Sequence, residues 1–189
     1  MNVILASQSP RRRELMGLFR IPFTVQVADV DETMDPDKAP YDQVAQISRR
    51  KAEAIDRKPQ DVVIAADTIV VCDGKILGKP RDEADAFRML QLLSGRQHQV
   101  MTGMTVLYGD TCISCTEVTD IYFRTLAEKE ILAYIDTKEP MDKAGSYGIQ
   151  GGAALFAERL EGDYFNVVGL PVCRLGKILR ETGILEDNV

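Results

Sequence analysis

Apolar and polar positions along the chain follow two periods in turn, and the switching predicts a mixed α/β order. Residues 3–6 form a short apolar run that predicts a buried first strand. Over residues 10–19 the apolar side chains Leu15, Leu18 and Phe19 fall at i, i+3 and i+4, one stripe of a helix. Residues 23–27 alternate as a half-buried strand, and the acidic, proline-bearing stretch 29–40 predicts a loop. A helix is expected over residues 41–56, followed by a continuous apolar run at 61–72 that ends on the turn pair Asp73-Gly74. Such a run predicts a central strand covered on both faces. Residues 75–77 return as a short hairpin arm.

The helical signal is strongest over residues 82–93, where Ala86, Met89, Leu90 and Leu93 share one face and Ser94-Gly95 supplies the stop. Two longer strands, 99–108 and 112–124, flank the turn Gly109-Asp110. A helix over 128–135 and a glycine-rich loop over 142–152 come next. Residues 153–160 and 164–168 predict a hairpin around Glu161-Gly162-Asp163, and a helix over 171–181 finishes the pattern. Hairpins in the second half predict a mixed sheet rather than a purely parallel one.

Composition narrows the class without naming it. The chain has 189 residues, 45% hydrophobic and 28% charged, which suits one globular domain spanning residues 1–189. No apolar run approaches the length of a membrane span, and the N-terminal run is too short for a signal peptide. A net charge of −6 argues against a nucleic-acid-binding face, so an anionic ligand needs a local cluster of cations. The cysteines are Cys72, Cys112, Cys115 and Cys173. Cys112 and Cys115 have CxxC spacing, but there is no second CxxC and His98 is the sole histidine, so they read as reduced strand thiols of a cytoplasmic protein.

Three places in the chain conflict with their local setting. Ser9 and Pro10 suit the start of a helix, yet Arg11, Arg12 and Arg13 follow at the end of the helix dipole that repels cations. Either they form a solvated basic turn, or an anion lies there among free N–H groups and guanidinium forks. Asp67 interrupts the apolar run, where an unpaired carboxylate costs several kcal/mol; it either caps a neighbouring turn or faces a metal or cation. Thr68, next along, points to the opposite side of a regular strand. Lys51 lies seven residues after Val44 on the buried stripe of its helix, where it either snorkels to solvent or points inward. Further candidates are Glu32 in Val30-Asp31-Glu32, Lys79 after Gly78, and Lys143 and Gln150 in the glycine-rich loop. No GxxxxGK[ST] and no GxSxG is present.

Taken together, these stretches resemble the Maf family, the septum-formation proteins related in fold to inosine triphosphate pyrophosphatases (Ham1). The resemblance rests on LASQSPRRREL at 5–15, VDE at 30–32, Lys51 in RRKAEA, AADT at 65–68, GKPRD at 78–82, SGRQHQV at 94–100, KEPMDKAGSYGIQG at 138–151 and VVGLP at 167–171. It implies an elongated mixed β-sheet with flanking helices and two lobes around a cleft. It implies hydrolysis of a nucleoside triphosphate to the monophosphate and pyrophosphate with Mg2+ or Mn2+. Asp67 is then the general base. Ser7, Arg11, Arg12, Lys51, Thr68, Lys79, Lys143 and Gln150 bind substrate, and Glu32 with Asp67 is the candidate metal pair; whether Asp67 serves as base or as metal ligand stays open at this point. Arg11, Thr68 and Gln150 match the branch acting on dTTP and UTP. The SPWR, SDQ and glutamate pattern of the 7-methyl-GTP branch is absent. A homodimer is implied too. The rival readings are a nucleotide-binding regulator of division with little turnover, and a house-cleaning enzyme for modified nucleotides.

Overall fold

The computed structural model describes residues 1–35 and 37–186; Pro36, inside the expected acidic loop, lies outside the described residues. Seven strands form one sheet: β1 (Val3–Leu5), β2 (Phe23–Val25), β3 (Val62–Cys72), β4 (Lys75–Leu77), β5 (Gln97–Tyr108), β6 (Thr111–Phe123) and β7 (Ala157–Glu161). The order is β2-β1-β3-β5-β6-β7, with β4 paired to β3. β1 runs parallel to β2 and β3, whereas β4 and β7 are antiparallel to β3 and β6, so the sheet is mixed. The helices are α1 (Pro10–Gly17), α2 (Pro40–Glu53), α3 (Glu83–Leu93), α4 (Glu128–Asp136), α5 (Tyr164–Val168) and α6 (Val172–Glu181).

The described chain divides into two compact units. One comprises Met1–Asp67, Thr102–Glu117 and the segment from Gly169 onward, and the other comprises Thr68–Met101 and Val118–Val168. In the first, Ile4, Ala6, Ala52, Ile55, Val63, Ala65 and Leu107 form a buried cluster. α2 lies so close to β5 that a Cβ on Gly103 would sit 2.2 Å from the Val44 carbonyl oxygen. Just beyond that contact Ser48 Oγ and Thr105 Oγ1 share a buried hydrogen bond of 2.8 Å. In the second unit α3, α4 and the sheet enclose an aromatic core in which Phe123 lies edge-on to His98, Tyr147 and Phe156. α3 starts at Asp82, whose Oδ1 accepts from Asp85 N at 2.7 Å. α4 starts where Glu130 Oε2 reaches back to Ala127 N at 3.0 Å.

Three expectations change. α1 stops at Gly17, so Leu18 is 54% exposed and Met16, fully buried, takes its place in the core. α2 ends at Glu53, a turn's end short of Asp56. Residues 164–168 are helical rather than a strand: Asp163 Oδ1 accepts from Phe165 N at 2.8 Å, a local cap that competes with strand pairing. Asn166, fully buried on that helix, donates to Val100 O and Thr119 Oγ1. Only Ala157–Glu161 pairs with β6, after a 3-10 turn at Gly152–Leu155.

Candidate active site

α1 begins as its sequence suggests. Ser9 is extended and its Oγ accepts from Arg12 N at 3.4 Å, Pro10 opens the helix, and no acidic residue sits in the first turn. Arg12 does not point away into solvent. Its Nε donates to Gly169 O at 2.7 Å and a terminal nitrogen donates to Ser7 Oγ at 3.2 Å. Ser7 is itself buried, and its Oγ also accepts from Ser9 N at 3.2 Å. Burial lowers the Arg12 pKa from its ordinary value. The negative charge of Asp67 opposes that shift, the charge of Arg11 adds to it, and Glu32 again opposes it. Arg13 is exposed and only reaches Gln8 O at 3.4 Å.

Lys51 resolves the conflict at Asp67. The buried stripe of α2 carries Val44, Ile47, Ser48 and Ala52, and Lys51 follows it inward. Its Nζ donates to Asp67 Oδ1 and contacts Glu32 Oε1, each at 2.7 Å. The Lys51 and Asp67 side chains are only 15% and 14% exposed, whereas Glu32 is 58% exposed. The Asp67 bond is therefore the one whose loss leaves a shielded charge unpaired; the Glu32 contact is screened and contributes little. The loop bearing Glu32 is tied down by Arg50, which donates to Asp31 O at 2.7 Å. One wall of the first unit thus gathers Ser7, Arg11, Arg12, Glu32, Lys51 and Asp67.

The carboxylates of this group form a candidate donor set for a divalent cation. Oε1 of Glu32 and Oδ1 of Asp67 converge on one ammonium, so two hard oxygen donors already address a single point. Among the described residues no three His, Cys, Asp or Glu side chains gather to hold a metal. Two carboxylates, with phosphate oxygens and water completing the shell, is a usual way to hold Mg2+. The donor set fits.

The remaining candidates belong to the second unit. Thr68 follows Asp67 on the other face of β3. Lys79 is exposed, one residue after Gly78, whose carbonyl accepts from Gly145 N at 3.0 Å and so links this turn to the glycine-rich loop. Lys143 Nζ donates to Glu139 O at 2.6 Å and to Asp142 Oδ1 at 2.7 Å. Gln150 is exposed on the turn that closes the loop. Cys112 and Cys115 are free thiols on β6, three residues apart and so on opposite faces. Sequence reasoning missed Gly169, the acceptor for Arg12. Its φ of +122° within VVGLP is the signal that a backbone group there is turned to an unusual direction. Tyr134 and Glu139 were missed as well.

A mixed sheet with flanking helices, carrying paired carboxylates and clustered guanidinium and ammonium groups, defines an α/β protein equipped for a polyanionic ligand. A family model described as Maf-like protein matches residues 2–182, and the chain belongs to that family. Among curated relatives, a dTTP/UTP pyrophosphatase of Bacillus pumilus (strain SAFR-032) is 49% identical over 183 residues, covering 96% of this chain and 97% of the relative. A dTTP/UTP pyrophosphatase of Bacillus cytotoxicus is 48% identical over 179 residues, covering 94% of each. Among solved structures, the Staphylococcus aureus Ham1 protein superposes with a TM-score of 0.52 at 12% identity, covering 97% of this chain and all (100%) of that one. A HAM1 protein from Coxiella burnetii gives 0.51 at 14% identity, over 96% and 99%. These two likenesses carry the fold alone. No helix among the described residues is long and apolar enough to cross a membrane.

Proposed function

We propose that this chain hydrolyses nucleoside triphosphates, dTTP and UTP foremost, to the monophosphate and pyrophosphate. The observation that carries this reading is Lys51 held between Asp67 and Glu32, with the anchored Arg12 within electrostatic reach. Kinship with relatives named dTTP/UTP pyrophosphatase, at up to half of all positions over nearly the whole chain, supplies the substrate class.

Water attacks the α-phosphorus, and the bond from that phosphorus to the bridging oxygen breaks. Asp67 takes the water proton: its Oδ1 carries the Lys51 bond, and we assign Oδ2 to the proton. Arg12 and Arg11 stabilise the negative charge on the departing pyrophosphate, with Arg12 pre-set by Gly169 and Ser7 so that little reorganisation is needed. A divalent cation on Glu32 and Asp67 would supply charge neutralisation at the phosphates. Lys51 is placed to trade its carboxylate contacts for a phosphate oxygen. Lys79 and Lys143 are the further cations that the family resemblance assigns to substrate binding. Gln150 offers both a donor and an acceptor, which suits the O4 and N3–H edge of uracil or thymine.

The decisive test is pyrophosphate release from a panel of canonical and modified triphosphates with Mg2+ and with Mn2+. Rapid turnover of dTTP and UTP supports the reading. Nucleotide binding without turnover would establish a regulator instead, and preference for a modified pyrimidine would establish a house-cleaning role. Asp67→Asn is nearly isosteric and should retain the fold and bind triphosphate while losing turnover by about a thousandfold or more, a loss of at least ~4 kcal/mol in transition-state stabilisation. Substantial pyrophosphate release by that variant removes Asp67 as the base.

A further inference from the structure

Gln150 sits on a turn whose two ends are fastened to one pair of side chains. Gly148 N donates to the Tyr134 hydroxyl at 3.1 Å, and Gly152 N donates to Glu139 Oε2 at 3.1 Å. The pair is itself joined, because the Tyr134 hydroxyl donates to Glu139 Oε1 at 2.9 Å. Between the anchors Gly151 N donates to Gly148 O at 3.1 Å, closing the turn on itself. Burial raises the Tyr134 pKa well above its ordinary value, so the hydroxyl keeps the proton that it gives to Glu139.

Gly151 lies directly against the same carboxylate. Gly151 has a negative φ of −108°. Yet a Cβ there would lie 2.0 Å from Glu139 Oε1, whereas a Cβ on Gly148 would first meet Lys143 Cε at 2.9 Å and then Glu139 Oε1 at 3.2 Å. Glu139 is held in turn. Its carbonyl accepts from Lys143 Nζ at 2.6 Å, and its N–H donates to Thr137 Oγ1 at 3.2 Å, while the preceding Lys138 takes the left-handed φ of 63°. One carboxylate oxygen of Glu139 thus takes one end of the turn directly, and the other takes the Tyr134 hydroxyl that holds the opposite end.

A glutamine amide can rotate to present donor and acceptor in either order, and so can match cytosine as well as uracil. Its selectivity therefore depends on how firmly its backbone is held. We infer that Glu139, aligned by Tyr134, is the positioning residue for Gln150 and through it sets the preference for uracil and thymine over cytosine. The inference rests on the proposed base-reading role of Gln150.

The test compares kcat/KM for UTP and CTP, together with amide hydrogen exchange at Gly148 and Gly152, in the full chain. Glu139→Ala should lower the UTP:CTP ratio tenfold or more, chiefly through KM for UTP, and speed exchange at both amides by a similar factor. Glu139→Gln, which keeps an acceptor, should recover part of both effects. Gly151→Ala should lower the ratio alone but add little in the Glu139→Ala background, since the carboxylate it meets is gone. If Glu139→Ala does not fold, Tyr134→Phe gives the same readouts. A Glu139→Ala protein with lower thermal stability but unchanged ratio, beside a Gln150→Ala protein whose ratio collapses, overturns the inference and leaves the base-reading role intact. An unchanged ratio in Gln150→Ala removes that role, and the inference falls with it. Unaltered exchange in Glu139→Ala overturns the inference directly.

Discussion

The Arg12 side chain is held by Gly169 and Ser7, and its chemistry follows from them. The Nε bond to Gly169 O and the bond to Ser7 Oγ fix the plane of the guanidinium before any ligand arrives. A lysine at this position would keep the charge and lose that plane, since an ammonium has no fork to hold. Arg12→Lys should therefore lower kcat/KM for the triphosphate about ten- to a hundredfold, mostly through KM, matching the loss of ~1.5–3 kcal/mol typical of bonds to a charged group. Ser7→Ala removes one of the two anchors and should fall between Arg12→Lys and the unaltered protein. Steady-state kinetics on both variants decides the matter: equal values for Arg12→Lys and the parent would mean that charge alone matters there. Lys51 shows the complementary case, a cation whose position is set by the helix stripe rather than by a cap.

At the scale of elements, packing tolerances set what each can bear. Gly103 lets α2 approach β5, and its missing Cβ is replaced by the backbone of Val44 and Ala45, with Ala45 N 2.6 Å from where the Cβ would be. Backbone cannot swing aside as a side-chain tip can, so Gly103→Ala must displace α2. The expected cost is about 1–3 kcal/mol or more, read as a lower midpoint in urea unfolding, and activity should fall with it because α2 carries Lys51. A variant as stable as the parent would show that the helix shifts freely. Much of this architecture was legible in the chain: the continuous run around β3 and the stripe of α3 follow from period and polarity, whereas period put Lys51 on the buried stripe but left open whether it snorkels or points inward, which the bond to Asp67 decides. The strand assignment at 164–168 failed because its apolar residues fit either period, and the deciding bond, from Phe165 N to Asp163, is local chemistry that periodicity does not register. The cluster of Arg12, Lys51 and Asp67 could be suspected from local conflicts, and Ser7 only from the family resemblance. The Gly169 contact with Arg12 could not, because it joins positions 157 residues apart through a backbone carbonyl. Glu139 escaped notice for a similar reason: one of its oxygens meets the Gly152 amide and the other the Tyr134 hydroxyl, partners that carry no signature of their own.

Across the whole molecule the chain passes from one compact unit to the other within β3, β5 and β6, so each unit is built from separate segments and owns a separate core. The second core contains His98, 2% exposed, with Nε2 hydrogen-bonded to the Tyr147 hydroxyl at 2.8 Å and its ring edge-on to Phe123. Burial lowers its pKa to about 4, which the backbone of Arg96 offsets only in part. The unfolded chain takes up a proton near 6.5, whereas the folded one does not until about 4. Between those values the unfolded state binds more protons, so stability rises with pH over that window and is level above it, a span worth on the order of 3 kcal/mol. Glu130 acts in the same direction at lower pH. Its pairing with Arg124, helped by the Ala127 N–H, holds its pKa at about 2 against an ordinary 4.5, so the stability it contributes is present above 4.5 and fades as pH falls toward 2. Thermal or urea unfolding at intervals from pH 4 to pH 8 should show a steady loss below about 6.5. His98→Gln, which can still bond Tyr147 but does not titrate, should flatten the upper part of that slope while leaving the decline below 4.5 in place. An identical slope in the variant would place the acid sensitivity in other groups and leave the buried imidazole a packing element without a titration.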